Sequence, residues 1–126
     1  MAFSNYLSNE ILDHVFSGNA FTAPSNYYVA LYTVAPTASG GGTEVTGGGY
    51  VRKTATFTTS GTQSTNASAV EFPTATASYG TVVAAAVLDA SSSGNLLAFA
   101  NLSNSKTIGI GDVLRIPAGD LDINLA

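Results

Sequence analysis

The stretch that most constrains the fold runs from Asn26 to Tyr50, NYYVALYTVAPTASGGGTEVTGGGY. Its first half predicts a strand with apolar residues on both faces. Tyr27, Val29 and Leu31 point one way, and Tyr28, Ala30, Tyr32 and Val34 point the other. A strand of that kind needs cover on both sides. One cover is the domain's own core. The other is expected to be the N-terminal helix or a partner subunit. After Ala35-Pro36 the chain enters Thr37–Gly49, a segment with six glycines and a single acid, Glu44. That is long for a loop in a small domain, and loops of this length are usually functional or mobile.

The remaining segments are short. Tyr6, Leu7, Ile11, Leu12, Val15 and Phe16 recur at helical spacing, which predicts a helix over Ser4–Phe16. Ser4 or Asn5 caps its start and Gly18 closes its end. A helix this short needs something to dock on. Tyr50–Thr58, Ala69–Phe72, Leu96–Leu102, Thr107–Ile110, Val113–Ile116 and Leu121–Leu125 read as strands, separated by polar or glycine-containing turns such as Thr59–Ser68 and Ala90–Asn95. Thr81–Asp89 is nearly all Ala and Val. Its β-branched valines favour a buried strand, while its run of alanines leaves a helix open. The expected architecture is therefore mainly β: an antiparallel β-sandwich, jelly-roll or Ig-like, of about seven or eight short strands. It carries one N-terminal α-helix and forms a single domain over residues 1–126.

Composition narrows the function classes. With no cysteine, disulfides and thiolate metal sites are excluded. Four basic residues against eight acidic ones, net charge −4, exclude the basic patch that nucleic acid or an anionic membrane requires. No apolar run approaches a membrane span, and no basic segment followed by an apolar stretch marks the N-terminus as a secretion signal, so folding in the cytoplasm is expected. Charged residues make up 10 % of the chain, against roughly 25 % in an average domain. A surface of Ser, Thr, Asn, Gly and Ala is readily desolvated against another subunit and lacks the charge that keeps crowded copies apart. Both features favour an assembly.

Catalytic and ligand-binding patterns fare poorly. Gly47-Gly48-Gly49 is followed by Tyr50-Val51-Arg52, so the lysine that a phosphate loop needs directly after its glycines is missing. His14 stands four residues after Glu10, a spacing that supplies two metal ligands at most. It is also the one histidine available to a hydrolytic triad, and no serine sits in a Gly-x-Ser-x-Gly turn. Asp120 and Asp122 fall on one face of the last strand, where charge that blocks edge pairing explains them. Neither an enzyme nor a cofactor is expected. The six tyrosines, Tyr6, Tyr27, Tyr28, Tyr32, Tyr50 and Tyr79, suit packing or a subunit contact, with glycan binding through Tyr27, Tyr28, Tyr32 or Tyr50 as the competing use.

Several blocks resemble a known family. AFSNYL…ILDHVF, YVALYTVAP, GTEVTGGGY followed by VRK, VEFPTATASYGTV and the closing IPAGDLDINL are similar to small accessory virion structural proteins of tailed bacteriophages. The resemblance spans Ala2 to Leu125. It implies a non-catalytic component of the virion, assembled in the bacterial cytoplasm as a homo-oligomer in contact with other virion proteins. The chain contains neither a fibre-like repeat nor a coiled coil. A capsid decoration or cement protein on the head shell is therefore expected, contacting the major capsid protein. A tail, tail-fibre or baseplate subunit, with host-surface glycan recognition as a further role, is the alternative. The expected contact residues are Tyr6, Leu7 and Ile11 on the helix, Glu44 in the loop, and Tyr28, Tyr32 and Tyr50.

Overall fold

A computed structural model of the chain describes residues 1–125. The chain opens on a two-residue strand, β1 (Ala2–Phe3), and the helix α1 (Asn5–Phe16). It continues through β2 (Tyr27–Val34), β3 (Thr43–Glu44), β4 (Lys53–Ala55), β5 (Phe57–Ser60), β6 (Gln63–Asn66) and β7 (Val70–Glu71). It ends with β8 (Gly80–Leu88), β9 (Leu96–Ile108), β10 (Arg115–Ile116) and β11 (Asp122–Asn124).

The doubly apolar strand sits where its pattern requires. β2 pairs with β8 from Tyr28↔Leu88 to Tyr32↔Ala84, and the hairpin partner β9 continues the sheet to β1. On the other edge of β2 lie β3 and β4, which completes a six-stranded antiparallel sheet. The Ala-Val run therefore resolves as strand. Alanine favours helix intrinsically, but the ladder to β9, joined from Ala84 to Leu88 by a second ladder to β2, overrides that preference. Small side chains are also what the crowded faces demand, since Ala84 and Ala86 lie opposite Tyr32 and Ala30.

One face of this sheet, with Val29, Leu31, Val82 and Ala85, buries against Val70, Phe72, Leu114, Ile116 and Leu121 from a second, smaller layer. That layer is a three-stranded ribbon, β5–β6–β11, beside the two-stranded β7–β10. The result is an unequal, open β-sandwich with one N-terminal helix. The opposite face holds Ala30, Tyr32, Ala84, Ala86 and Leu88, rimmed by Ala35, Val83, Leu96 and Phe99. Cover on this side comes partly from the segment after β2 and from the start of α1. The Asn5 amide donates to the Ala38 carbonyl at 2.8 Å.

Several boundaries differ from expectation. Among the described residues there are eleven strands where seven or eight were expected, the surplus being pieces of two to four residues. Thr59–Ser68 is not simply a turn: β5 and β6 form a hairpin registered from Phe57↔Asn66 to Ser60↔Gln63, closed at Gly61 with φ +59°. Its residues are almost all polar, so no apolar alternation marks it. Tyr50–Thr58 is not one strand, because pairing begins at Lys53 and breaks at Thr56, whose carbonyl accepts the Ala67 amide. β9 runs past Leu102 to Ile108; its ladder with β8 shifts register between Asn101 and Lys106, and only Lys106–Ile108 of its outer half pairs with Gly80–Val82. The Thr37–Gly49 segment is anchored rather than free. Thr37 and Gly40 bond reciprocally, β3 pairs with β2, and the Val45 amide donates to the Leu31 carbonyl at 2.9 Å.

Candidate functional site

The glycine-rich segment and the strand after it place Glu44, Tyr50 and Arg52 together. β3 and β4 share the outer edge of β2 but leave a gap opposite Leu31. The Tyr50 hydroxyl fills that gap. It accepts the Leu31 amide at 3.0 Å and donates to Glu44 Oε2 at 2.7 Å. The Tyr50 ring lies in the core, stacked on Phe72 and edge-on to Tyr79. Arg52 grips the same carboxylate with two nitrogens, Nε to Oε2 at 2.9 Å and Nη2 to Oε1 at 2.8 Å. Its Nη1 reaches across to the carbonyls of Ala90 and Ser93 in the β8–β9 turn, both at 2.8 Å. The pair is 8 % (Arg52) and 24 % (Glu44) exposed.

Electrostatics follow from that geometry. Partial burial pushes the Glu44 carboxyl up, but hydrogen bonds from Arg52 and Tyr50 and the arginine's charge together hold it below its ordinary value. Burial, and then the hydrogen bond to Glu44, raise the Tyr50 phenol far above its usual range. The cluster is thus a neutral phenol beside a closed ion pair, built to hold three segments together.

The structure sorts the expected contact residues into two groups. Tyr6, Leu7 and Ile11 on α1 and Tyr28 on β2 are half-buried and reachable from outside. Tyr32 is 6 % exposed, and Glu44 and Tyr50 spend their polar groups on the internal cluster just described. Arg52, which the contact expectation omitted, completes that cluster. Asn95 fastens the hairpin turn through its amide and side chain to Asp89. Arginine was the available signal, since a chain with only four cations that places one beside the glycine segment's lone acid has a ready pair.

The helix is seated only at its start. Ser4 is 1 % exposed, accepts the Leu7 amide at 3.1 Å and donates to the Leu96 carbonyl. No α1 residue is buried, and Leu12, Val15 and Phe16 stand exposed at the far end, Phe16 at 80 %. His14 Nδ1 contacts the Asn19 carbonyl at 2.9 Å, beside the Gly18 turn with φ +72°. Asp120 lies in the turn before β11, whereas Asp122 is its first residue, so the two are not a same-face pair on one strand. Both line a cleft of about 400 Å³ with Lys106 and Arg115. No helix among the described residues is long and apolar enough to cross a membrane.

A β-sandwich fastened internally, with an apolar helix end left uncovered, has the form of a building block, and comparison with known families places the chain among bacteriophage structural proteins. The chain belongs to the family described as podophage GP4 fiber I protein gp80, whose model matches residues 2–124. That span agrees with the resemblance read from Ala2 to Leu125. A search of curated proteins finds no match. Membership carries a virion location and contact with other virion proteins.

Proposed function

We propose that this chain is a non-catalytic, homo-oligomeric subunit of the podophage virion fibre. The observation that carries the reading is the match to a fibre family over residues 2–124, practically the whole chain. Two physical features support it. The surface is poor in charge, and α1 extends Leu12, Val15 and Phe16 away from the sandwich, where no described residue covers them. An apolar helix end of this kind is stable in water only at a cost that a neighbouring subunit removes. Contact through α1 continues from Tyr6, Leu7 and Ile11 to the exposed end. The described residues form no shaft, so a fibre incorporating this sandwich gains length from elsewhere.

Cryo-electron microscopy of the intact particle tests this. Density for the chain in a fibre, with α1 packed against a neighbour, is the expected result. Density bridging capsid subunits on the head shell would replace the reading with capsid decoration. Absence from the particle would overturn both.

A further inference from the structure

We infer, resting on the homo-oligomeric reading above, that a second copy of this chain seats the exposed end of its α1 in the apolar pocket between α1, the 21–24 connector and the β5–β6–β11 ribbon. The pocket holds about 290 Å³, at the small end of the roughly 300–1,000 Å³ of ligand sites, which suits one large side chain. Phe21, Pro24, Tyr27, Phe57, Val87 and Leu97 line it, and none of its lining residues is charged. Thr59 and Ser64, the hydroxyl groups that the ribbon contributes, bond to each other at 3.1 Å. An aromatic-walled pocket of this kind takes an apolar or aromatic side chain.

The chain carries both halves of that contact on one surface. Leu7 lines the pocket. Ile11 and Val15 follow it at i+4 and i+8, one row along α1, and Leu12 and Phe16 form the adjoining row. Apolar surface is therefore continuous from the pocket wall to the free end of the helix. Glu10, Asp13 and His14 fall outside that arc, so docking through it leaves the charges of the helix in water. Phe16 does not fill the pocket of its own chain. It lies nine residues beyond Leu7, about 13.5 Å along the axis, and is 80 % exposed. The same residue on a second copy is free to enter. A knob and a hole on one surface let a dimer or a small ring close, with every copy giving one helix end and receiving one. A single helix end falls short of the roughly 800 Å² per partner of a stable interface, and the exchange doubles the contact. Association is accordingly weak, with an apparent Kd of about 10–100 μM.

The test uses the isolated chain in solution, so its failure is distinct from a failure of the fibre reading, which the particle map decides. Sedimentation equilibrium from about 5 to 500 μM brackets the expected constant. The expected result is a mass that levels off at a small whole number of copies. Phe16→Ser should weaken association at least about tenfold, as loss of an aromatic anchor does. Ala23→Arg, a charge on the exposed rim of the pocket, should do the same. Ile110→Ser removes a side chain that is 78 % exposed at the opposite end of β8 from Val87, and should leave association unchanged. Thermal midpoints near that of the wild type verify that these variants fold. The chain has no cysteine, so mixing Ser17→Cys with Ala23→Cys under mild oxidation should give the mixed disulfide above its statistical share. A monomer throughout the range, association that ignores both Phe16→Ser and Ala23→Arg, an equal loss in Ile110→Ser, or a mixed disulfide at its statistical share would each overturn the inference.

Discussion

Arg52 joins three pieces of chain through four hydrogen bonds. It meets Glu44 of β3 and the carbonyls of Ala90 and Ser93, while Tyr50 ties the same carboxylate to Leu31. Truncating it strands a half-buried carboxylate and two carbonyls at once. Arg52→Ala should cost about 2–4 kcal/mol in urea unfolding, toward the lower end of what breaking a buried pair costs because Glu44 keeps some contact with water. Arg52→Lys should recover only part, since a point charge cannot reproduce the two-point grip. Glu44 adds a pH dependence with a definite sign. Its folded carboxyl titrates below the ordinary 4.5, so the unfolded chain takes up the proton first. The stabilisation is complete above that value and is lost as pH falls from 4.5 through the lower folded value. The stability difference between the wild type and Glu44→Gln should shrink between about pH 5 and pH 3. A difference that stays constant through that range would refute the ion-pair account.

At the scale of elements, the glycine segment is where local chemistry and global packing meet. Gly42 has φ +76°, and a Cβ there would stand 2.6 Å from the Val34 carbonyl oxygen and 2.8 Å from Pro36 N, both backbone atoms that cannot step aside. Gly41 has nearly the same φ, +77°, with open space around it. Gly41→Ala should therefore cost only the left-handed penalty, about 1–2 kcal/mol, whereas Gly42→Ala should cost clearly more. Thermal unfolding of the two variants separates strain from clash. Legibility in the sequence also divides by element. α1 and β2 were readable because caps and periodicity act within a few residues. β6 was not, because Gln63, Ser64, Thr65 and Asn66 show no apolar alternation. β6 is held by pairing to β5 and β11. Asn66 adds side-chain bonds to the Ser68 and Pro117 carbonyls and the Leu121 amide. Those partners lie up to 55 residues away, beyond any local pattern.

The whole molecule is dominated by distant pairings. β1 pairs with β9, bringing Ala2 opposite Phe99, and β6 pairs with β11 near the C-terminus. Closing such loops precedes the contacts that reward them, so refolding from urea should fall in the ~ms to s range of β-sandwiches rather than the μs range of helical bundles. Stopped-flow tyrosine fluorescence would measure it, and completion within ~100 μs would contradict this topology. Taken by itself, the sequence determined the mainly β class, the capped helix, the doubly covered central strand and, through blocks spread along the chain, the phage structural family. These depend on residue order over short windows or on overall composition. Only the tertiary structure decided that Glu44 and Tyr50 turn inward to Arg52 and that the far end of α1 stays uncovered. Each of those outcomes depends on which distant backbone segment arrives beside a side chain, and that is settled by sheet pairing and core packing across the whole fold.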